Sequence, residues 1–293
     1  MFRNVVVGVD QQQNWRDAVP LARELTDDDG QLTLAHVFRG DPGHRHGHAT
    51  RNETYRRQRS VALLEAACAE TGARARLRVY AADSDGAGLQ RIVDQVGGDL
   101  LVVGSSRRAL LGRVLMGDDM QSALNGLPCA LAIAPARYGW SDPGRIGTIG
   151  VGYDGSPESE AALSLARALA IGCDARLWAC QVITPSAELL VATVTESQTL
   201  ERARQHLAAL GDVRPHAALG EPAEQLAVFG DNVDLLVVGS RGYGPVGRLV
   251  HGSTSLKLAN AAHCPLLVLP RSADRASAHS PVSAEAGSPV QSA

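Results

Sequence analysis

The sequence predicts an α/β fold made of two tandem units, each a five-stranded parallel sheet with helices on both faces. Three observations predict it. The chain repeats itself: VVVGVD at residues 5–10 returns as IGVGYD at 149–154, and DLLVVGS at 99–105 returns at 234–240. Short β-branched apolar runs alternate with stretches of helical spacing, which is the order of a parallel sheet. The strand runs are apolar almost throughout, as strands covered on both faces are.

Taken in order, Val5–Val9 reads as a buried strand, Arg16–Leu25 as a helix and Leu32–Phe38 as a second strand. Thr54–Glu70 is helical, Ala75–Tyr80 a third strand, Leu89–Val96 a helix and Leu100–Val103 a fourth strand. Asp119–Leu124 is helical and Ala130–Ala134 is the fifth strand. The second copy repeats this, with strands near 149–153, 176–182, 213–218, 235–238 and 266–269. Ala18, Leu21, Ala22, Arg23 and Leu25 match Ala162, Leu165, Ala166, Arg167 and Leu169 at one offset. Gly117, Asn125, Cys129 and Pro135 match Gly252, Asn260, Cys264 and Pro270 at another. The units are therefore residues 1–138 and 146–271, each of ordinary domain size. The Gly- and Pro-rich run Arg137–Gly147 joins them. Residues 272–293, rich in Ser, Ala and Pro, are too poor in large apolar side chains to offset ordering entropy, and disorder is expected there.

Composition excludes several function classes. The chain has 293 residues, 45% hydrophobic, with a net charge of −3, so a packed core is expected and an electrostatic reason to bind nucleic acid is missing. Aromatics at 4% leave little for base stacking. The apolar run after Met1 is too short for a signal segment, and no run is long enough to span a membrane. A cytoplasmic protein is expected. The five cysteines form no C-x-x-C, so they read as small buried apolar residues rather than a zinc site or disulfide framework.

The chemistry concentrates in GSRGYGPVGRLVHGSTS, residues 239–255. Gly242, Gly244 and Gly247 spell G-x-G-x-x-G, but that fingerprint belongs after the first strand of its unit with an acid about 20 residues on, and residues 261–267 hold none. Gly242 to Gly247 also approaches a P-loop, but Arg248 and Leu249 stand where Lys and Ser or Thr are needed. A third spacing fits: Gly239, two residues, Gly242, nine residues, Gly252-Ser253. Glycines after a strand let backbone N–H groups approach an anion, and hydroxyls at a helix start can bond phosphate. Glycine after a strand can also serve turn geometry alone.

This spacing resembles the G-x2-G-x9-G-[ST] nucleotide motif of the universal stress protein family. It follows the expected fourth strand, and the first strand ends in an acid, Asp154. The resemblance covers nearly all of the chain apart from the tail, as a tandem-domain member. It implies Rossmann-like units of the adenine nucleotide alpha hydrolase type, with ATP, together with Mg2+, as the ligand of the second copy. Gly152, Tyr153 and Asp154 would then line the adenosine end, and Val182 would meet adenine through its backbone. Val238, Gly239, Arg241 and Gly242 would wrap the ribose and α-phosphate, and Gly252, Ser253, Thr254 and Ser255 would hold the outer phosphates. The implied role is that of a nucleotide-responsive regulator in a stress response, read by a protein partner the sequence does not identify. The alternatives are a nucleotide-independent scaffold and a slow ATP-hydrolysing enzyme.

The first copy departs from the motif. In GSSRRALLGRVLMGDDMQS, residues 104–122, Gly104 is kept, Arg107 replaces the second glycine, and Asp118 and Asp119 replace the hydroxyls. Two carboxylates would repel a triphosphate. Either the triphosphate site is lost or Arg107 and Arg108 make a modified pocket; loss is the favoured reading. His44, His46 and His48 form a short histidine tract that reads as a solvated loop rather than a metal site. No catalytic constellation stands out, and no enzyme is expected. The short apolar strands Ala130–Ala134 and Leu266–Leu269 would lie at sheet edges, which invite pairing. In the family such strands pair two units back to back, so the copies are expected to form an intramolecular pseudo-dimer, with a homodimer as a further option.

Overall fold

A computed structural model describes residues 1–40, 51–105, 127–140, 146–185, 195–239 and 254–270. In the first copy β1 (Phe2–Gly8), α1 (Trp15–Leu25), β2 (Thr26–Arg39), α2 (Arg51–Thr71), β3 (Arg76–Ala82), α3 (Asp85–Val96), β4 (Leu100–Gly104) and β5 (Ala130–Ala134) follow one another. The second copy holds β6 (Thr148–Gly152), α4 (Pro157–Cys173), β7 (Arg176–Ile183), α5 (Glu196–Ala208), β8 (Arg214–Leu219), α6 (Pro222–Gly230), β9 (Leu235–Gly239), α7 (Thr254–Ala261) and β10 (Leu266–Leu269). The helix expected at Asp119–Leu124, the histidine tract, Arg107, Asp118, Asp119 and the tail lie outside the described residues.

The strands form one ten-stranded sheet in the order β3-β2-β1-β4-β5-β10-β9-β6-β7-β8. Every neighbouring pair is parallel except β5 and β10, which run antiparallel with Leu266 opposite Ile133, Leu267 opposite Ala132 and Val268 opposite Leu131. The two strands expected at the edges thus cover one another inside one chain. The exposed edges fall to β3 and β8. Exposed Arg76 and Arg78 on one, and Arg214 followed by Pro215 on the other, discourage further strand addition.

Strand alternation sorts the core into two layers. Val5 and Val7 join a cluster built with Leu21 and Leu25 of α1, Leu64 of α2, Leu163 and Leu169 of α4 and Leu207 of α5. Val6 faces the other way, with Leu89 and Ile92 of α3, Leu226 and Phe229 of α6 and Leu258 of α7. Each layer runs through both copies, because Leu267 and Ala132 share the first layer and Leu266 and Ile133 the second.

The repeated DLLVVG run starts with a tie. Asp99 accepts hydrogen bonds from the amides of Arg3 (2.8 Å) and Asn4 (2.9 Å). Asp234 accepts from those of Gly147 (3.0 Å) and Thr148 (2.8 Å). Each carboxylate satisfies amides at the entry of the unit's first strand and so sets it beside the fourth.

β2 differs most from the sequence reading. β2 begins at Thr26 rather than Leu32, taking in the polar run Thr26–Gly30. Phe2 pairs with Thr26 and Asn4 with Gln31, so the register shifts between them and the extra residues bulge out. Backbone pairing with β1 overrides the polarity of the side chains. The cysteines behave as expected: all five are free, four are buried, and burial pushes the Cys129, Cys180 and Cys264 thiols up to about 12.

Candidate functional site

In each copy the strand order reverses between the first and fourth strands, and ligands of open α/β sheets sit in the crevice outside the carboxyl ends at such a point. In the second copy the point lies between β6 and β9, where Gly152, Tyr153, Asp154, Val238 and Gly239 come together.

Asp154 is held by its own turn. Its carboxylate accepts from the amide (3.0 Å) and hydroxyl (2.6 Å) of Ser156, and its amide donates to the Ser159 hydroxyl at 3.3 Å. Gly155, at φ +78°, makes this turn possible. Ser156 in turn caps α4 by accepting from the Ser159 amide. These bonds fix the carboxylate at the amino end of α4.

Gly239 ends β9 against the first turn of α4: an added Cβ would lie 2.6 Å from the Glu158 carbonyl oxygen. Val238 packs on Gly152, where a Cβ would meet its Cγ1 at 3.3 Å. Val182 lies one residue from the end of β7, partly buried, on the same layer as Val238. Tyr153 does not share this crevice by its side chain. Its hydroxyl donates to Glu160, its ring lies 6.1 Å from that of His206, and it belongs to the opposite layer. Only its backbone remains on the crevice side. Thr254 and Ser255 open α7. Arg241, Gly242, Gly252 and Ser253 lie outside the described residues.

The first copy shows which motif positions packing requires. Gly104 also abuts the first helix of its unit, with an added Cβ 2.1 Å from the Asn14 carbonyl oxygen. Asp10 is anchored differently from Asp154: it accepts from the Asn14 amide (3.1 Å) and from Asn14 Nδ2 (2.7 Å). A cavity of about 100 Å³ opens here, lined in part by Asp10, Asn14, His36, Asp85 and Gly104. Asn14, His36 and Asp85 were not anticipated, nor were Ser156 and Ser159. The two serines carry a legible signal, since Asp-Gly-Ser-Pro-x-Ser after a strand is a helix start. His36 and Asp85 come from different elements and carry none. Among the described residues no group of three or more His, Cys, Asp or Glu could hold a metal ion. No helix among them is long and apolar enough to cross a membrane.

The sequence profile of the universal stress protein family matches residues 1–135 and again residues 145–270. The chain belongs to the universal stress protein family. A relative from Thermus aquaticus, described as a universal stress protein in the QAH/OAS sulfhydrylase 3' region, is 37% identical over 133 residues, covering 42% of this chain and 97% of its own. Two solved structures carry the tandem fold at low identity. A functionally unknown protein of Pseudomonas aeruginosa PAO1 has a TM-score of 0.67 at 16% identity, over 94% of this chain and 95% of its own. A universal stress protein of Archaeoglobus fulgidus has a TM-score of 0.64 at 15% identity, over 92% and 96%. The Rossmann-like α/β fold and the tandem arrangement of the family are those of this chain.

Proposed function

We propose that the second copy binds ATP, with Mg2+, and that occupancy makes the protein a nucleotide-responsive regulator in the cytoplasm. The observation that carries the reading is the fixed Asp154 carboxylate beside Gly239 at the sheet's reversal point, with G-x2-G-x9-G-S running on from Gly239. Asp154 accepts a ribose hydroxyl, and Val182 and Val238 flank the base and sugar. Gly242, Gly252 and Ser253 bring backbone and hydroxyl donors to the phosphates, and Arg241, Thr254 and Ser255 complete that loop. In this reading ATP acts as a ligand and not as a substrate. The occupied loop then offers a protein partner a surface that the empty one does not.

Calorimetric titration of ATP with Mg2+ tests this. A micromolar site, one nucleotide per chain by native mass spectrometry, and its loss in Gly242→Arg are expected. No heat at millimolar ATP sinks the reading in favour of a nucleotide-independent scaffold. Steady turnover above about one per second would make the protein an enzyme.

A further inference from the structure

A groove of about 660 Å³ lies at the opposite end of the second copy's sheet from Asp154, at the amino ends of β7 and β8. Arg176, Trp178 and Arg214 supply its chemistry. Side chains alternate along a strand, so Arg176 and Trp178 share one face of β7, and Arg214 on β8 is the register partner of Trp178. The Trp178 ring lies 6.5 Å from that of Phe229, and the Arg214 guanidinium sits 4.3 Å from the Trp178 centroid. A guanidinium stacked on a ring keeps its N–H edge for a bidentate acceptor. Arg176 donates to Thr148 Oγ1 at 3.0 Å, and no carboxylate among the described residues pairs with Arg176 or Arg214. On the α4 side the lining is apolar, with Ala170 and Ile171, the latter 84% exposed. Asp174, which closes α4, and the carboxyl end of that helix are negative, so an anion in the groove is turned toward the two arginines.

The two copies separate scaffold from site. Arg167 also lines the groove, but it is bound to the Asp212 carboxylate at 2.9 Å and to the Leu210 carbonyl at 2.7 Å. Its counterpart Arg23 makes the same kind of tie to the Thr71 carbonyl at 3.2 Å. This arginine therefore joins the unit's first helix to the end of its second in both copies. The other two arginines are different. Arg76 holds the register place of Arg214, but it faces Thr33 rather than a tryptophan. Gln31 stands opposite Asn4 as Arg176 stands opposite Thr148. The stacked pair thus belongs to the second copy alone. We propose that this groove binds an organic anion with an apolar body, its carboxylate or phosphate head held by Arg176 and Arg214 and its body lying along Ala170 and Ile171. Both heads match the paired donors of a guanidinium edge. The groove lies at the amino ends of the strands and the nucleotide crevice at their carboxyl ends, so this inference stands whether or not the second copy binds ATP.

The test is a titration of the ¹⁵N-labelled full chain with benzoate and with phenyl phosphate. Benzamide serves as the neutral molecule of the same shape, and inorganic phosphate as the head without a body. The readout is the indole N–H of Trp178, identified by its loss in Trp178→Phe, together with the Ile171 amide. Saturable shifts are expected with both organic anions, with a Kd on the order of millimolar for such small ligands. The tighter of the two names the head group. Benzamide and inorganic phosphate should each bind at least about threefold more weakly, a modest factor because the arginines are exposed. Arg176→Gln and Arg214→Gln should each weaken the anions by a similar factor with the rest of the spectrum in place, and Arg76→Gln should leave binding unchanged. Four results overturn the proposal. No saturable shift means that the groove holds only solvent. Benzamide binding as tightly as the anions means that the arginines do not read charge. Inorganic phosphate binding as tightly as phenyl phosphate removes the apolar wall from the site. An equal loss in Arg76→Gln and Arg214→Gln reduces the effect to a general attraction between anions and arginine.

Discussion

The carboxylate of Asp17 on α1, itself 2% exposed, accepts a 3.0 Å hydrogen bond from the amide of Gly139, 122 residues further along the chain. Around this bond the connection between the copies docks onto the first helix. Pro20 has no N–H, so the Arg16 carbonyl one turn earlier lacks its usual helical donor. Gly139 packs directly over that carbonyl, where an added Cβ would lie 2.1 Å from the oxygen. What reads as a loose Gly- and Pro-rich linker is thus held in place at Tyr138–Trp140, as a 3₁₀ turn against α1.

Asp17→Ala should therefore destabilise the protein by about 1 kcal/mol, the loss of a hydrogen bond whose donor is half-buried. Asp17→Asn, which keeps a carbonyl acceptor, should cost clearly less. Denaturant unfolding of the two variants checks this, and equal losses would mean that the Gly139 amide does not depend on Asp17.

Gly104 and Gly239 hold the first glycine position of the nucleotide spacing in both copies, and both lie against the backbone at the start of their own unit's first helix. Alanine at either should cost about 1–3 kcal/mol without any nucleotide present, because a carbonyl cannot swing aside as a side chain can. Gly104→Ala should be the worse, its contact being 2.1 Å against 2.6 Å. If Gly239→Ala melted like the parent protein and only weakened ATP binding, the packing role assigned to this glycine would be wrong.

Glu24 gives the junction a pH dependence. Burial raises its carboxyl above the ordinary range, and the neighbouring Tyr138 hydroxyl opposes part of that rise. A carboxyl that keeps its proton longer when folded than when unfolded lowers stability as pH climbs between those two values. Glu24→Gln removes the penalty, so at pH 7 its Tm should exceed that of the parent by about 2 °C, a small gain because the group is only half-buried. The gap should close below about pH 4, where both side chains are uncharged. Melting curves across that range decide it: a gap that widens toward acid would reverse the assignment.

Much of this architecture is legible in one strand of letters. Val5–Val7 and Leu100–Val103 are apolar on both faces, and the same runs recur in the second copy, so the parallel units and their strand positions follow from residue pattern alone. Asp154 and Gly239 were legible as candidates because one follows β6 and the other ends β9, and a strand end is a local property. The start of β2 was not legible, because Thr26–Gly30 is polar and only its pairing with β1 makes it strand. Nor was the side of the sheet on which the Tyr153 ring falls, since the layer beyond it is formed by His206 of α5, far along the chain.

By itself, then, the sequence determined the fold class, the duplication, the family and the spacing of the nucleotide motif, all properties of periodicity and order along the chain. The tertiary structure alone decided two things. It gave the DLLVVG aspartates their amide partners, and it brought Asn14, His36 and Asp85 to one cavity. Each depends on groups distant in sequence meeting at hydrogen-bond range, and nothing in local pattern encodes which distant partner arrives.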